Sequence, residues 1–138
     1  MAALEWSANF AEDGSLLTLS ATGDLGREGL CEPIDAVLAH KSWRPGIPTL
    51  CDFRLLNIFK LSAQDIEQLV EVHRRYSRLL QKNPGPIAVV VAKVVDYGLV
   101  RMWELFANDM FPVFKVFLRM EEAQEWLRAG GRETAEET

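Results

Sequence analysis

The sequence predicts an α/β domain with a mostly parallel five-stranded sheet and four helices, in the order β-β-α-β-α-β-α-β-α. Three observations predict it. Short apolar runs alternate with segments whose apolar residues recur at helical spacing, the pattern of strands joined by crossover helices. An Asp-Gly pair near the start lies between two alternating runs, which signals a hairpin and makes the first strand antiparallel to the rest. The length of 138 residues suits one domain and is too short for two. The domain is expected to span residues 1–128, and residues 129–138 read as a disordered acidic tail.

The elements follow in order. Residues 3–10 and 15–21 alternate between apolar and polar side chains around Glu12-Asp13-Gly14, and Thr22-Gly23-Asp24 reads as the break that ends the second strand. Leu30, Ile34, Val37 and Leu38 share a helical face, with Pro33 in the first turn, where its missing N–H costs little. Ile47 to Phe53 reads as a buried strand closing at Asp52. Ser62 then caps a long helix with Ile66, Leu69, Val70, His73, Tyr76 and Leu80 on one face, and Asp65 completes a variant capping box. Asn83-Pro84-Gly85-Pro86 ends that helix. Ile87 to Ala92 is apolar without alternation, as in a strand covered on both faces. Asp96 reads as the cap of a third helix from Tyr97 to Met110. Pro112 to Leu118 is a last strand, and Glu121 to Arg128 a short helix that turns Ala123, Trp126 and Leu127 inward before Ala129-Gly130-Gly131 stops it.

Composition narrows the function. A hydrophobic fraction of 49% and a charged fraction of 25% are those of a globular domain. The net charge of −5 works against binding duplex nucleic acid. The first residues lack the basic and apolar segments of a secretory leader, and no apolar run approaches the ~20 residues of a membrane span. The expected location is the cytoplasm, with Cys31 and Cys51 as reduced, buried thiols.

Enzyme signatures are absent: no nucleophile elbow, dinucleotide-binding glycine pattern, phosphate-loop lysine or zincin motif occurs. Two histidines cannot build a multi-histidine metal site, so no metal or cofactor is expected. His73 lies on an apolar helical face and reads as a hydrogen-bonded structural residue. Neither cysteine has a basic neighbour that would make it a reactive thiolate. The expectation is a protein that binds and does not catalyse.

Two regions stand out as binding surfaces. In open parallel sheets ligands bind beyond the carboxyl ends of the strands. Those ends carry Asp24, Asp52 with Arg54, and Lys93 with Asp96, while Ser62 opens a helix on the same edge. A helix N-terminus beside Arg54 and Lys93 can hold an anion or an acidic partner. The third helix is the other region. Leu99, Trp103, Phe106 and Met110 form one apolar stripe, with Met102 and Leu105 beside it, and only Arg101, Glu104 and Asn108 make a polar strip. A surface helix normally has a wide polar face. A second subunit is the expected cover, and an apolar ligand or the chain itself the alternatives. The second helix exposes Arg74, Arg75, Arg78 and Lys82, and Glu71 can pair with Arg75.

The ordered pieces carry a resemblance. Cys51-Asp52-Phe53-Arg54 follows a strand, Ser62 opens the next helix, and Ala88-Val-Val-Val forms a buried strand. Tyr97-Gly98-Leu99-Val100-Arg101-Met102 comes next, and Val116-Phe117 leads to Glu122-Ala123 and Trp126-Leu127. Over about residues 3–128 this resembles the SpoIIAA-like group, which contains STAS domains and anti-anti-sigma factors, and looks closest to its short free-standing bacterial members. The resemblance implies a regulatory module that docks a protein partner. It also implies a phosphorylated serine at the N-terminus of the second helix, the position of Ser62. The family's acidic residue, first hydroxyl residue and glycine are replaced in Lys60-Leu61-Ser62-Ala63. The same fold group includes the CRAL-TRIO lipid-binding domains, which implies an alternative role: carrying a lipid-like molecule between the third helix and the sheet.

Overall fold

A computed structural model describes residues 2–58, 60–75 and 85–132. Its strands are β1 (Glu5–Phe10), β2 (Leu17–Asp24), β3 (Thr49–Asn57), β4 (Ile87–Val90) and β5 (Phe114–Phe117). Its helices are α1 (Cys31–Ala39), α2 (Ala63–Arg75), α3 (Val94–Phe106) and α4 (Met120–Arg128). The strands lie side by side in chain order; β1 is antiparallel to β2 and every other neighbour pair is parallel. The predicted fold class and element order are therefore observed.

Sequential strand order has a direct consequence. Each parallel step is made by a crossover, and crossovers of one hand running in one direction place their helices on one face. Helices α1, α2 and α3 share that face, against Leu19, Cys51, Phe53 and Val89. Among the described residues the opposite face is covered by α4, whose Ala123, Trp126 and Leu127 pack on Leu50, Ala88, Val90 and Phe117. Val89 and Val90 are both buried, one toward each layer, which explains why β4 lacks polar alternation. All three crossover helices lie on one side, so the sheet has no point where successive crossovers leave to opposite faces. The crevice such a point opens at the strand ends, the basis of the expected edge site, is missing from this order.

Three elements differ most from the sequence reading. Strand β2 continues through Thr22 and Gly23 to Asp24, because Asp24 accepts from the Ala2 amide and stays beside the incoming chain. Strand β3 does not close at Asp52 but runs to Asn57. Its register against β2 shifts between Ser20 and Thr22, with Ser20 opposite Asp52 and Thr22 opposite Leu55. This bulge turns Arg54 and Leu55 both outward and returns Leu56 and Ile58 to the core. Helix α3 starts at Val94 and ends at Phe106, earlier at both ends than expected. After it the chain turns, and Ala107, Met110 and Phe111 pack back against Val70. Tyr76, Leu80, Arg78, Lys82, the stop at residues 83–84 and most of the C-terminal tail lie outside the described residues.

Candidate functional site

The residues expected at the strand ends are mostly taken up in internal pairs, and Asp52 and Arg54 stand within β3 and not at its end. Asp24 accepts from Asn57 Nδ2 at 2.6 Å and from the Ala2 amide at 3.2 Å, with Lys60 Nζ at 3.5 Å. The Asn57 bond and the Lys60 charge hold its carboxyl below the usual carboxylate range despite an opposing burial effect. Asp52 and Arg54, two apart on β3, form a bidentate pair at 2.8 and 2.9 Å. That pair lowers the Asp52 carboxyl, and Glu121 at the start of α4 adds to the field on the guanidinium. Ser62 and Asp65 close the expected capping box: Ser62 Oγ accepts from the Asp65 amide at 3.1 Å, and Asp65 Oδ2 accepts from the Ser62 amide at 2.8 Å.

Asp96 departs from its expected role. Lys93 is the N-cap residue of α3, and Asp96 stands in the first turn, 2% exposed. Its Oδ1 has no hydrogen-bond partner among the described residues. Burial pushes this carboxyl up, and the Lys93 charge partly opposes that. An aspartate near a helix start reads from sequence as a cap. Here the β-branched pair Val94-Val95 already belongs to the helix, which moves Asp96 inward by one turn.

The apolar stripe of α3 divides between two partners of the same chain. Leu99 packs toward the sheet cluster. Trp103 meets the His73 ring edge-on at 4.8 Å between centroids and lies against Phe111. Met110 is buried beyond the helix end, and Met102 is half-buried. Leu105 remains 67% exposed and Phe106 40% exposed. The apolar excess is thus largely explained by a helix that faces both the sheet and α2. Arg74 of α2 also serves this contact, binding Glu71 at 3.3 Å, Asp109, and the Phe106 carbonyl at 3.2 Å near the α3 C-terminus. Glu71 therefore pairs with Arg74 and not, as expected, with Arg75.

Between the sheet and the three helices lies a cavity of about 170 Å³. Its walls come from β2 to β5 and from the three helices of that face, with Leu19, Phe53 and Val89 on the sheet and Leu99, Val100 and Trp103 on α3. Few polar side chains reach it, and the two with titratable groups are chemically quiet. Cys51 is held neutral because burial pushes its thiol up to about 12. His73 uses both ring nitrogens: Nδ1 donates to the Leu69 carbonyl at 2.8 Å and Nε2 accepts from the Leu30 amide at 3.1 Å. Burial lowers its pKa and keeps the ring neutral, as the structural reading of this histidine expects. Gly29 lets the imidazole approach, because a Cβ there would meet ring carbon Cε1, and its φ of 58° lies where side chains are disfavoured. Sequence reasoning reached α3 and the sheet as the place for an apolar ligand, but not the α1 and α2 walls. Cavity volume depends on how side chains interlock, and no sequence pattern encodes that.

Among the described residues no three acidic, histidine or cysteine side chains group to hold a metal ion, and no helix is long and apolar enough to cross a membrane.

Similarity to known structures agrees with this architecture. A protein of the DUF3478 family with a SpoIIAA-like fold, from Shewanella loihica PV-4, is 21% identical. The match covers 92% of this chain and 95% of that one with a TM-score of 0.55. An anti-sigma factor antagonist from Mycobacterium paratuberculosis is 15% identical, covering 91% and 95% with a TM-score of 0.55. No protein-family model matches the chain, and no curated protein does. The chain has the SpoIIAA-like fold, the α/β class to which the ordered residues pointed.

Proposed function

We propose that this chain is a non-enzymatic binding module that holds one small apolar molecule between its sheet and helices α1, α2 and α3. The observation that carries this reading is the cavity of about 170 Å³ with walls of aliphatic and aromatic side chains. An apolar cavity of ~150 Å³ is large enough for a benzene-sized molecule. The energetics point the same way. Apolar surface of an occupant buried against these walls contributes ~25 cal/mol per Å². The cavity wall supports binding without turnover, since Cys51 and His73 are both locked in neutral, hydrogen-bonded or desolvated states. Native mass spectrometry of protein isolated gently from its host tests the reading. A fraction carrying a small apolar adduct, released by solvent extraction, is expected; protein that is always adduct-free, and takes up no apolar probe after extraction, contradicts it.

A second reading is favoured by the β3 bulge. It presents Leu55, 75% exposed, beside the Asp52–Arg54 pair and Glu121. Such a charged and apolar corner suits docking of a protein partner, and one neighbour of the same fold is an anti-sigma factor antagonist. In this reading Asp24, Asp52, Arg54, Ser62, Lys93 and Asp96 frame the partner edge, and phosphorylation of Ser62 would break its bond to the Asp65 amide and set a new charge against Asp65. Intact mass from the native host decides the switch: a species heavier by one phosphate, abolished by Ser62→Ala, supports it, and its absence in every growth condition removes it.

A further inference from the structure

We propose that the outer edge of β1 pairs with the same edge of a second copy, antiparallel and centred on Ala8, so that the two sheets become continuous. The inference is independent of the cavity and rests on the hydrogen-bond phase of β1.

In an antiparallel pair, residues alternate between those whose N–H and C=O face the partner and those whose groups face away. The Ala11 amide donates to the Leu16 carbonyl, so this pair faces inward. One step along, the Leu17 amide donates to the Pro48 carbonyl on its far side, so the Phe10–Leu17 pair faces away. Alternation then turns the main-chain groups of Trp6, Ala8 and Phe10 outward, where no strand pairs with them among the described residues.

These positions are self-complementary. A two-fold axis at Ala8 sets Ala8 opposite its own copy and Trp6 opposite Phe10, and each of these pairs can exchange two N–H···O bonds. The side chains agree with that register. Trp6, Ala8 and Phe10 face the helix layer, so Trp6 meets a second aromatic ring across the new junction, a favourable cross-strand pair. Ser7 meets Asn9 on the other face, and Glu5 meets Ala11, so no like charges are opposed. Ala8 is small and exposed and leaves room at the axis.

The two sheet edges are treated differently. Strand β5 is four residues long, carries Lys115 and follows Pro112 closely, all features that discourage edge pairing. Strand β1 is six residues long, with no proline and no lysine, and its one charge stands at its first position. It is the unguarded edge, as expected where a strand has a partner.

Sedimentation equilibrium with three variants tests this. The wild-type chain is expected at twice its monomer mass. Ala8→Pro removes the outward N–H at the axis, where proline is tolerated because that N–H makes no bond to β2. Ala8→Arg places two like charges face to face at the axis. Both are expected to sediment as monomers with unchanged circular dichroism, while Leu105→Glu on α3 stays dimeric. As a positive arm, Ala8→Cys is expected to crosslink to its own copy on oxidation, since directly paired positions lie within disulfide reach. Asn9→Cys, which does not face itself, is expected to remain uncrosslinked. A monomeric wild type at the highest attainable concentration overturns the proposal. So does a dimer that survives both folded Ala8 variants, or one that Leu105→Glu dissociates.

Discussion

Adding a single methylene inside the cavity gives opposite results depending on whether the core is loose or close-packed. Val100 lines the cavity from α3 and is 7% exposed. Val100→Leu adds one CH₂ to that wall, worth ~0.8 kcal/mol if the group enters unfilled apolar space. Leucine also favours the helix slightly over valine. With ~2.1 cal/mol/K of unfolding entropy per residue, a chain of this length has about 0.29 kcal/mol/K, so the expected gain in melting temperature is about 3 °C. In a core already packed to normal density the same substitution costs ~1–3 kcal/mol and lowers the melting temperature by about 3–10 °C. Scanning calorimetry on solvent-extracted wild type and variant reads the sign directly. A fall of several degrees would refute the existence of usable space beside Val100 and with it the binding proposal.

Three further outcomes follow from the site geometry. His73 is neutral and buried, with its pKa lowered below 6.5, so the unfolded chain takes up this proton first as pH falls. Its stabilising contribution is therefore complete above pH 6.5 and is lost as pH drops from there toward the folded-state value; urea unfolding across about pH 5–8 should show this slope, and His73→Gln should flatten it. Ser62→Ala breaks one bond of the capping box and should cost about 1 kcal/mol in urea unfolding, with no change in ligand uptake; a cost near zero would mean the Ser62–Asp65 pair is not formed in solution. The Asp96 carboxyl is raised above 3.8 by burial, so ionisation above that pH costs the folded state. Asp96→Asn should raise the melting temperature at neutral pH and lose that advantage in acid, and a variant equally destabilised at both would contradict the raised pKa.

Much of the fold was legible because its signals were local. The Asp13-Gly14 hairpin, the Ser62–Asp65 box and the wholly apolar β4 each depend on residues close in sequence. The limits of β3 were not legible. Its bulge turns the consecutive residues Arg54 and Leu55 outward, which mimics the end of a strand, although the pairing continues to Asn57. The pairing of the charges expected at the strand ends, Asp24 with Asn57 and Asp52 with Arg54, was not legible, because it depends on where side chains reach in three dimensions. The excess apolarity of α3 pointed to a covered helix. Its main cover is the chain itself, through His73 of α2 and the sheet, and Leu105 and Phe106 remain outside that contact.

The most direct test of the binding proposal is calorimetric titration of the extracted protein with a homologous series of short alkyl-benzenes. The account predicts saturable one-to-one binding with a negative heat-capacity change, the mark of apolar burial. Affinity should rise by roughly 0.8 kcal/mol per methylene while the chain still fits, then fall once it outgrows the cavity, with the turning point reached earlier in Val100→Leu. Absence of saturable binding, or a length dependence identical in wild type and Val100→Leu, would contradict the placement of the ligand between the sheet and α3.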